Sequence, residues 1–130
     1  METTTDKTVL IGVSDVFFYT KIRDAFKPAG YTLKKFKNQE EIIEKTKNLS
    51  PVAVVLNMND DRFDAAQALA TLKQNESLQH IPVLAFANHE EVDTWRQAKA
   101  LGINKIVSRN EFSARTLALL EEVTGNSLAR

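Results

Sequence analysis

Short apolar runs alternate along the chain with longer segments in which apolar residues recur at helical spacing. The runs VLIGV at 9–13, VAVVL at 52–56 and IPVLAFA at 81–87 are typical of buried strands. YTLKKF at 31–36 alternates apolar and polar residues, as a strand near a sheet edge does, and NKIVS at 104–108 is another short strand. The pattern therefore predicts five strands.

Helical segments separate and follow these strands. They cover residues 14–30, 38–50, 64–76, 88–102 and 110–123. The first carries Phe18, Ile22 and Phe26 on one face. Asn38 opens the second, and Glu41 follows it three residues later, which is an asparagine version of the capping box. Strands and amphipathic helices therefore alternate along the whole chain.

This alternation is typical of a parallel sheet with helices on both faces, because right-handed crossovers place the helices there. The predicted fold class is α/β, with a flavodoxin-like five-stranded parallel sheet of order 2-1-3-4-5. A single domain is expected over residues 1–130, with flexible tails at 1–6 and 125–130. The ligand crevice of such a sheet lies at the carboxyl ends of strands 1 and 3.

The composition excludes several classes of function. Lys plus Arg and Asp plus Glu each number 17, so the net charge is zero, which is unlike a dedicated nucleic-acid binder. Without cysteine there are no disulfides, thiolate nucleophiles or cysteine metal sites. The polar start METTTDK is unlike a signal peptide, and no apolar run approaches the ~20 residues that span a bilayer. We therefore expect a cytoplasmic protein without membrane insertion.

Polar residues follow the predicted strands, where a parallel sheet would gather them at one edge. Ser14 and Asp15 follow the first strand, Asn57 the third and Arg109 the fifth. Asn57 is an amide at a place where a reactive site would have a carboxylate. From the residues alone it is a ligand, a lost nucleophile or a residue that closes the strand.

Three stretches carry a family resemblance: PVAVVLNMNDDRFDAAQALATLK at 51–73, HIPVLAFANH at 80–89 and ALGINKIVSRN at 100–110. With the order of elements and the loop lengths, they resemble the receiver domain of two-component response regulators over about residues 7–123. The resemblance implies a bacterial, cytoplasmic signalling protein.

The positions that carry the chemistry of that family hold other residues here. The resemblance places the phosphoaccepting aspartate on Asn57 and the Mg²⁺-binding acidic pair on Val13 and Ser14. It places the Ser or Thr that contacts the phosphoryl group on Ala87, and the Lys after the fifth strand on Arg109. All of these positions therefore differ from the family pattern.

The replacements remove the chemistry of phosphotransfer. An amide oxygen cannot form an acyl phosphate, Val13 offers Mg²⁺ no ligand and Ala87 has no hydroxyl. Asp15, one residue past the pair, leaves one carboxylate near the crevice, which is a weak magnesium site. Arg109 either neutralises Asp15, hydrogen-bonds Asn57 or binds an anion. We interpret Val13, Ser14, Asp15, Asn57, Ala87 and Arg109 as a degenerate receiver pocket without catalytic residues, metal or cofactor.

The leading hypothesis is a stand-alone pseudo-receiver, not an enzyme, that binds another signalling protein independently of phosphorylation. Two alternatives remain open. One is a sensor whose crevice has been rebuilt for a small molecule such as a nucleotide or quinone. The other is a phosphoacceptor that uses Asp60 or Asp61 in place of Asn57.

The resemblance implies a partner surface on the fourth helix, the fifth strand and the last helix. Its predicted members are Val92, Trp95, Lys99, Ile106, which replaces the switch aromatic of the family, and Leu119. Trp95 is predicted on the flank of its helix, and tryptophan is the commonest hot-spot residue at interfaces. The alternative is that Trp95 packs against the last helix.

Two aromatic residues flank the buried stripe of the first helix. Phe17 and Tyr19 lie roughly 100° to either side of Phe18. They are expected at the edge of the core beside the crevice mouth, and the alternative is a binding patch.

Overall fold

The computed structural model describes residues 7–125, and a parallel sheet forms its centre. The strands are β1 (Thr8–Gly12), β2 (Thr32–Lys35), β3 (Ala53–Asn57), β4 (Val83–Ala87) and β5 (Lys105–Ser108). Their order is β2-β1-β3-β4-β5 and neighbouring strands are parallel, which confirms the predicted fold class. The predicted tails, apart from Gly125, lie outside the described residues.

Helices cover both faces of the sheet. They are α1 (Val16–Phe26), α2 (Ile42–Leu49), α3 (Ala65–Gln74), α4 (Val92–Ala100), α5 (Arg109–Ala114) and α6 (Thr116–Thr124). One buried cluster joins the sheet to α1, α5 and α6 through residues such as Phe18 and Leu120. A second joins it to α2, α3 and α4 through residues such as Leu69 and Ala98. Within residues 7–125, no helix is long and apolar enough to cross a membrane.

The last residue of β1 is a glycine, and an aromatic ring occupies the place where a side chain would lie. A Cβ added to Gly12 would come within 2.5 Å of the Phe36 ring. Phe36 is buried and packs against Phe63, with ring centroids 5.0 Å apart. The segments that follow β2 and precede α3 therefore meet beside the carboxyl end of β1.

The prediction of one helix over 110–123 is wrong, since this segment forms most of α5 and most of α6. Arg115 separates them with φ −131° and ψ 37°, outside the helical region. Its guanidinium donates to Glu111 at 2.8 Å and also bonds to Glu122, so it bridges the two helices.

The second predicted helix begins later than expected. A 3₁₀ turn over Gln39–Glu41 precedes α2. The Asn38 Oδ1 accepts from the N–H of Glu41 at 3.2 Å, as the capping box predicts. The Glu41 carboxylate, however, accepts from the N–H of Lys37 at 3.0 Å, one residue before the expected donor. The predicted box therefore stabilises the turn that leads into the helix.

Candidate functional site

The candidate site lies at the carboxyl edge of the sheet, where the loops that leave β1, β3, β4 and β5 meet. A hollow of about 350 Å³, here called the crevice, is lined by residues of three of these loops, among them Ser14, Asn57, Asp60 and Arg109. The sequence therefore predicted correctly which strand ends come together. The detailed contacts decide what this crevice can hold.

Two of the predicted pocket positions belong to the hydrophobic core. Val13 is 1% exposed and packs in the cluster beneath α1. Ala87 is fully buried at the end of β4. A valine in the core presents no oxygen to a metal, and an alanine presents no hydroxyl to an anion. Of the pair that follows β1, Ser14 alone offers an oxygen-bearing side chain to the crevice.

Asn57 stabilises the loop that follows β3 through two hydrogen bonds. It is half-buried, and its side-chain oxygen accepts from the N–H of Asn59 at 3.0 Å. This is the turn in which an asparagine side chain bonds to the backbone two residues later. The backbone carbonyl of Asn57 also accepts from the N–H of Asp60 at 3.1 Å. Asn57 therefore shapes the loop after β3 and places Asp60 next to β1.

Asp60 joins the loop after β3 to the loop after β1. One carboxylate oxygen accepts from the N–H of Ser14 at 2.8 Å, and the other accepts from the Ser14 hydroxyl at 2.7 Å. That second oxygen also accepts from the N–H of Arg62 at 2.9 Å. We call this contact the Ser14–Asp60 bridge. Sequence reasoning considered Asp60 only as an alternative phosphoacceptor and did not find its partner.

Asn59 makes a similar connection on the other side of the crevice. Its side-chain oxygen accepts from the N–H of Asn88, just after β4, at 2.7 Å. Its side-chain nitrogen donates to the carboxylate of Glu91, just before α4, at 2.7 Å. We call this contact the Asn59 bridge. Two side chains of one loop therefore tie together the loops after β1, β3 and β4.

In the described structure, Asp15 and Arg109 do not form the ion pair that was expected between them. The Asp15 carboxylate caps α1 and accepts from the N–H of Phe18 at 3.1 Å. The Arg109 guanidinium lies over the Phe18 ring, 5.1 Å from its centroid. Within residues 7–125, Arg109 forms no ion pair with Asp15 and no hydrogen bond with Asn57. Both of these predicted contacts are wrong, and the guanidinium stacks on an aromatic ring instead.

The donor atoms around the crevice do not fit a magnesium ion. Magnesium requires oxygen ligands in near-octahedral geometry and usually takes one or two carboxylates. Both oxygens of Asp60 already accept protein hydrogen bonds, and Asp15 accepts one from α1. Across the described chain, no group of three or more His, Cys, Asp or Glu side chains is arranged to hold a metal.

Most of the predicted partner surface lies together on α4 and β5. Val92 is 57% exposed, Lys99 is exposed, and Trp95 and Ile106 are half-buried. The Trp95 indole N–H donates to the carbonyl of Asn88 at 3.0 Å, which fixes the ring against the loop before α4. Trp95 is thus held by the same residue that contacts Asn59.

Leu119 does not belong to this surface. It is fully buried in the cluster beneath α1, on the opposite face of the sheet from α4. Leu119 and Leu120 lie on the buried face with Phe112 and Thr116, at the spacing of one helical stripe, and Leu117 is the partly exposed leucine.

The first turn of α1 carries exposed apolar side chains that were partly missed. Val16 is 77% exposed and was not singled out, although it lies off the buried stripe of α1. Phe17 is 61% exposed, so the expected place at the core edge is wrong for it. Tyr19 packs against the core, with the Lys35 ammonium 4.5 Å from its ring centroid.

The fold has many solved counterparts, although no protein-family model and no curated protein matches the sequence. The phosphorylated cyanobacterial phytochrome response regulator RcpA superposes with a TM-score of 0.80 at 14% identity, covering 95% of this chain and 97% of that one. The receiver domain of the Pseudomonas aeruginosa histidine kinase PA1611, with magnesium in its cleft, gives 0.78 at 13% identity, covering 93% and 99%.

A third comparison agrees. The receiver domain of NtrX from Brucella abortus superposes with a TM-score of 0.75 at 15% identity, covering 93% of this chain and 100% of that one. The structural neighbours are thus receiver domains. At such identities the likeness establishes that this chain has the receiver fold.

Proposed function

We propose that this chain is a pseudo-receiver, a non-enzymatic module of bacterial two-component signalling that binds another signalling protein without being phosphorylated. The observation that carries the proposal is the pair of bridges at the crevice. The Ser14–Asp60 bridge and the Asn59 bridge connect three loops through hydrogen bonds of the protein itself. In the neighbours, by contrast, a phosphoryl group is present in RcpA and a magnesium ion in PA1611.

The chemistry of the matched positions supports the same proposal. The amide of Asn57 is not a nucleophile for phosphoryl transfer, and its oxygen is held by the N–H of Asn59. The buried Val13 and Ala87 provide neither a metal ligand nor a hydroxyl. Position 57 therefore has no nucleophile to form a covalent phosphate, and Val13 and Ala87 would do little to stabilise one.

The alternative phosphoacceptor is less well supported by the contacts. Asp60 accepts three hydrogen bonds, and its attack on a phosphodonor would give up the Ser14–Asp60 bridge. Asp61 is exposed beside the crevice and has no neighbouring metal ligands in the described structure. Both aspartates are included in the test below.

The surface through which such a module would act is the exposed part of α4 and β5. Val92, Trp95, Lys99 and Ile106 combine apolar area with a cation and a rigid aromatic ring. Partly exposed tryptophan beside an apolar strip is the composition that interfaces favour at their centres. We therefore assign the docking of a partner protein to this surface.

The test is phosphorylation by acetyl phosphate in the presence of Mg²⁺, followed by intact-mass spectrometry. The protein should gain no phosphate, and beryllofluoride with Mg²⁺ should leave the fluorescence of Trp95 unchanged. RcpA, whose structure was solved in the phosphorylated form, would serve as the positive control under the same conditions. Stoichiometric phosphate that disappears in Asp60→Ala or Asp61→Ala would overturn the proposal in favour of the alternative phosphoacceptor.

A partner experiment completes the test. The protein would be immobilised with and without acetyl phosphate and used to capture binding proteins from its source cells. The same partner should be retained to the same extent in both conditions, because no covalent event is needed. Capture that depends on the phosphodonor would contradict phosphorylation independence.

A further inference from the structure

A larger hollow adjoins the crevice and plays no part in the proposed adaptor function. This groove, of about 970 Å³, lies between the start of α1, the loop after β4 and the start of α5. Its walls include Phe17 and Lys21 on one side and Asn88, His89 and Arg109 on the other. Its volume is within the range of roughly 300–1,000 Å³ that small-molecule sites occupy.

One wall of the groove is an exposed aromatic ring that packs against the core. Phe17 is 61% exposed, and its ring packs edge-on against Phe18 with centroids 5.3 Å apart and an interplanar angle of 87°. Phe18 is itself buried and stacked on Phe86 at 4.7 Å. A flat ligand would bury the exposed part of this ring, and stacking of aromatic groups is favourable beyond the area it buries.

The groove also carries two cations without acidic partners. The Arg109 guanidinium lies 5.1 Å from the centroid of Phe18, and the Lys21 ammonium lies 5.9 Å from that of Phe17. Neither forms an ion pair with another described residue. Asp15 is the one acidic residue among those that line the groove, and its carboxylate caps α1. A stacked guanidinium keeps its forked donors available for phosphate oxygens.

We propose that this groove binds a nucleotide, with the base stacked on Phe17 and the phosphate held by Arg109 and Lys21. The amides of Asn88 and Asn110 line the same hollow. The Asn88 oxygen accepts from the N–H of Glu90 at 3.0 Å, so Asn88 offers its nitrogen as a donor, and Asn110 offers a donor and an acceptor that can read a base edge. A docked protein segment is less consistent with the lining, because amides, hydroxyls and cations surround Phe17 there instead of an apolar strip. The proposal does not rest on the adaptor function.

The experiment is a ¹⁵N-labelled NMR titration of the full chain with AMP, GMP, CMP and UMP, alongside adenosine and inorganic phosphate. At least one nucleotide should bind saturably and shift the amide signals of Phe17, Lys21 and Arg109. Its affinity should exceed that of adenosine and of phosphate at least tenfold, because each of these supplies half of the contacts. The absence of saturable binding by all four nucleotides would overturn the proposal.

Variants locate the site. Phe17→Ala and Arg109→Gln should each weaken nucleotide binding at least fivefold, and because both side chains are exposed, the dispersion of the NMR spectrum should be retained. Arg96→Gln, an exposed arginine on α4, is the matched control and should bind normally. Equal affinities for phosphate and nucleotide would show that the groove binds an adventitious ion only, and would overturn the proposal.

One further competition distinguishes a protein ligand. A short acidic peptide that contains phenylalanine should not displace the nucleotide at a comparable concentration. If it binds more tightly than every nucleotide, the groove is a docking site for a protein segment and the proposal is wrong. None of these outcomes changes the expected behaviour of Trp95 towards a protein partner, so the two proposals can fail independently.

Discussion

Asn57 differs from an aspartate by one side-chain atom, but its surroundings also differ from those that a phosphoacceptor needs. The Asn57→Asp variant should therefore remain unphosphorylated by acetyl phosphate with Mg²⁺. The change restores a nucleophile, while the buried Val13 and Ala87 still withhold a metal ligand and a hydroxyl. Intact-mass spectrometry measures the outcome, with the exposed Asn48→Asp as the matched control. Stoichiometric phosphate on the Asn57→Asp variant, and none on the control, would contradict this prediction.

The Ser14–Asp60 bridge should contribute measurably to stability. We expect Asp60→Ala to lower the free energy of unfolding by about 2 kcal/mol and Ser14→Ala by about 1 kcal/mol, since hydrogen bonds to a charged group are the stronger kind. The double variant should lose less than the sum, because each single change already breaks the shared contact. Urea denaturation provides the values. Strict additivity, or an equal loss in the exposed control Asp61→Ala, would show that the bridge is not the cause.

At the residue scale, sequence reasoning found positions more readily than contacts. Asn57, Ser14, Asp15 and Arg109 follow strand ends, and the parallel sheet brings them to one edge as predicted. The partner of Asp60 could not be found, because Ser14 lies 46 residues away and their contact depends on the conformations of two loops. Local patterns in a sequence do not specify such long-range loop contacts.

At the element scale, α4 presents the clearest prediction. Trp95→Ala should weaken binding of the captured partner at least tenfold, about 1.4 kcal/mol, while the fold remains intact. The Trp95 ring is half-buried and makes one hydrogen bond to the loop before α4. Removing the ring should therefore reduce the free energy of partner binding more than the free energy of unfolding. Calorimetry gives the affinity and circular dichroism verifies the fold, with the neighbouring exposed Arg96→Ala as control. Unchanged affinity in a folded Trp95→Ala protein would rule out this surface.

α3 carries a lysine whose stability contribution should depend on pH. The Lys73 ammonium donates to Asn104 Oδ1 at 2.7 Å and to the carbonyls of Gln79 and Ile81, each at 3.1 Å. Burial lowers the pKa of Lys73 from 10.5, so between the lowered pKa and 10.5 the unfolded chain binds more protons than the folded one. The stability of the native protein should rise with pH across that window.

The matched variant for this effect is Lys73→Met, which keeps the length of the side chain without the titrating group. The difference in unfolding free energy between the native protein and Lys73→Met, measured by urea denaturation from neutral pH upwards, should shift in favour of the native protein. A difference that stays constant with pH would refute the role of Lys73.

The helices and strands were predicted well where the spacing of apolar residues was clear. The break between α5 and α6 was missed, because the helical spacing of apolar residues continues across it. Residues 110–123 contain no glycine or proline to mark the break at Arg115. Leu117, Leu119 and Leu120 exceed one buried stripe, which was a signal of irregularity. The buried residues Phe112, Thr116, Leu119 and Leu120 keep one helical spacing across the break, so a count from Phe112 identifies Leu117 as the leucine that turns outward.

At the scale of the whole molecule, the sequence pattern predicts the fold more completely than it predicts the function. Alternating strands and helices predict the parallel sheet, and solved receiver domains share it at 13–15% identity. A shared fold hosts many activities, so function has to be argued from the site. Here the buried Val13 and Ala87 offer neither a metal ligand nor a hydroxyl, and Asp60 and Asn59 connect the loops directly. Both observations support the proposed role without phosphorylation.

These connections lead to a prediction about the conformational equilibrium of the whole domain. Asn59 accepts from the N–H of Asn88, and the carbonyl of Asn88 accepts from the Trp95 indole, so a continuous set of hydrogen bonds runs from the crevice to α4. A domain switched by a covalent event needs a second accessible state, whereas fixed hydrogen bonds favour one state throughout. Relaxation-dispersion NMR should therefore give flat profiles across α4 and β5. Asn59→Ala, which breaks the connection, should introduce exchange there, while the exposed Asn48→Ala should not. A populated second state in the unaltered protein would show that the bridges do not lock the fold.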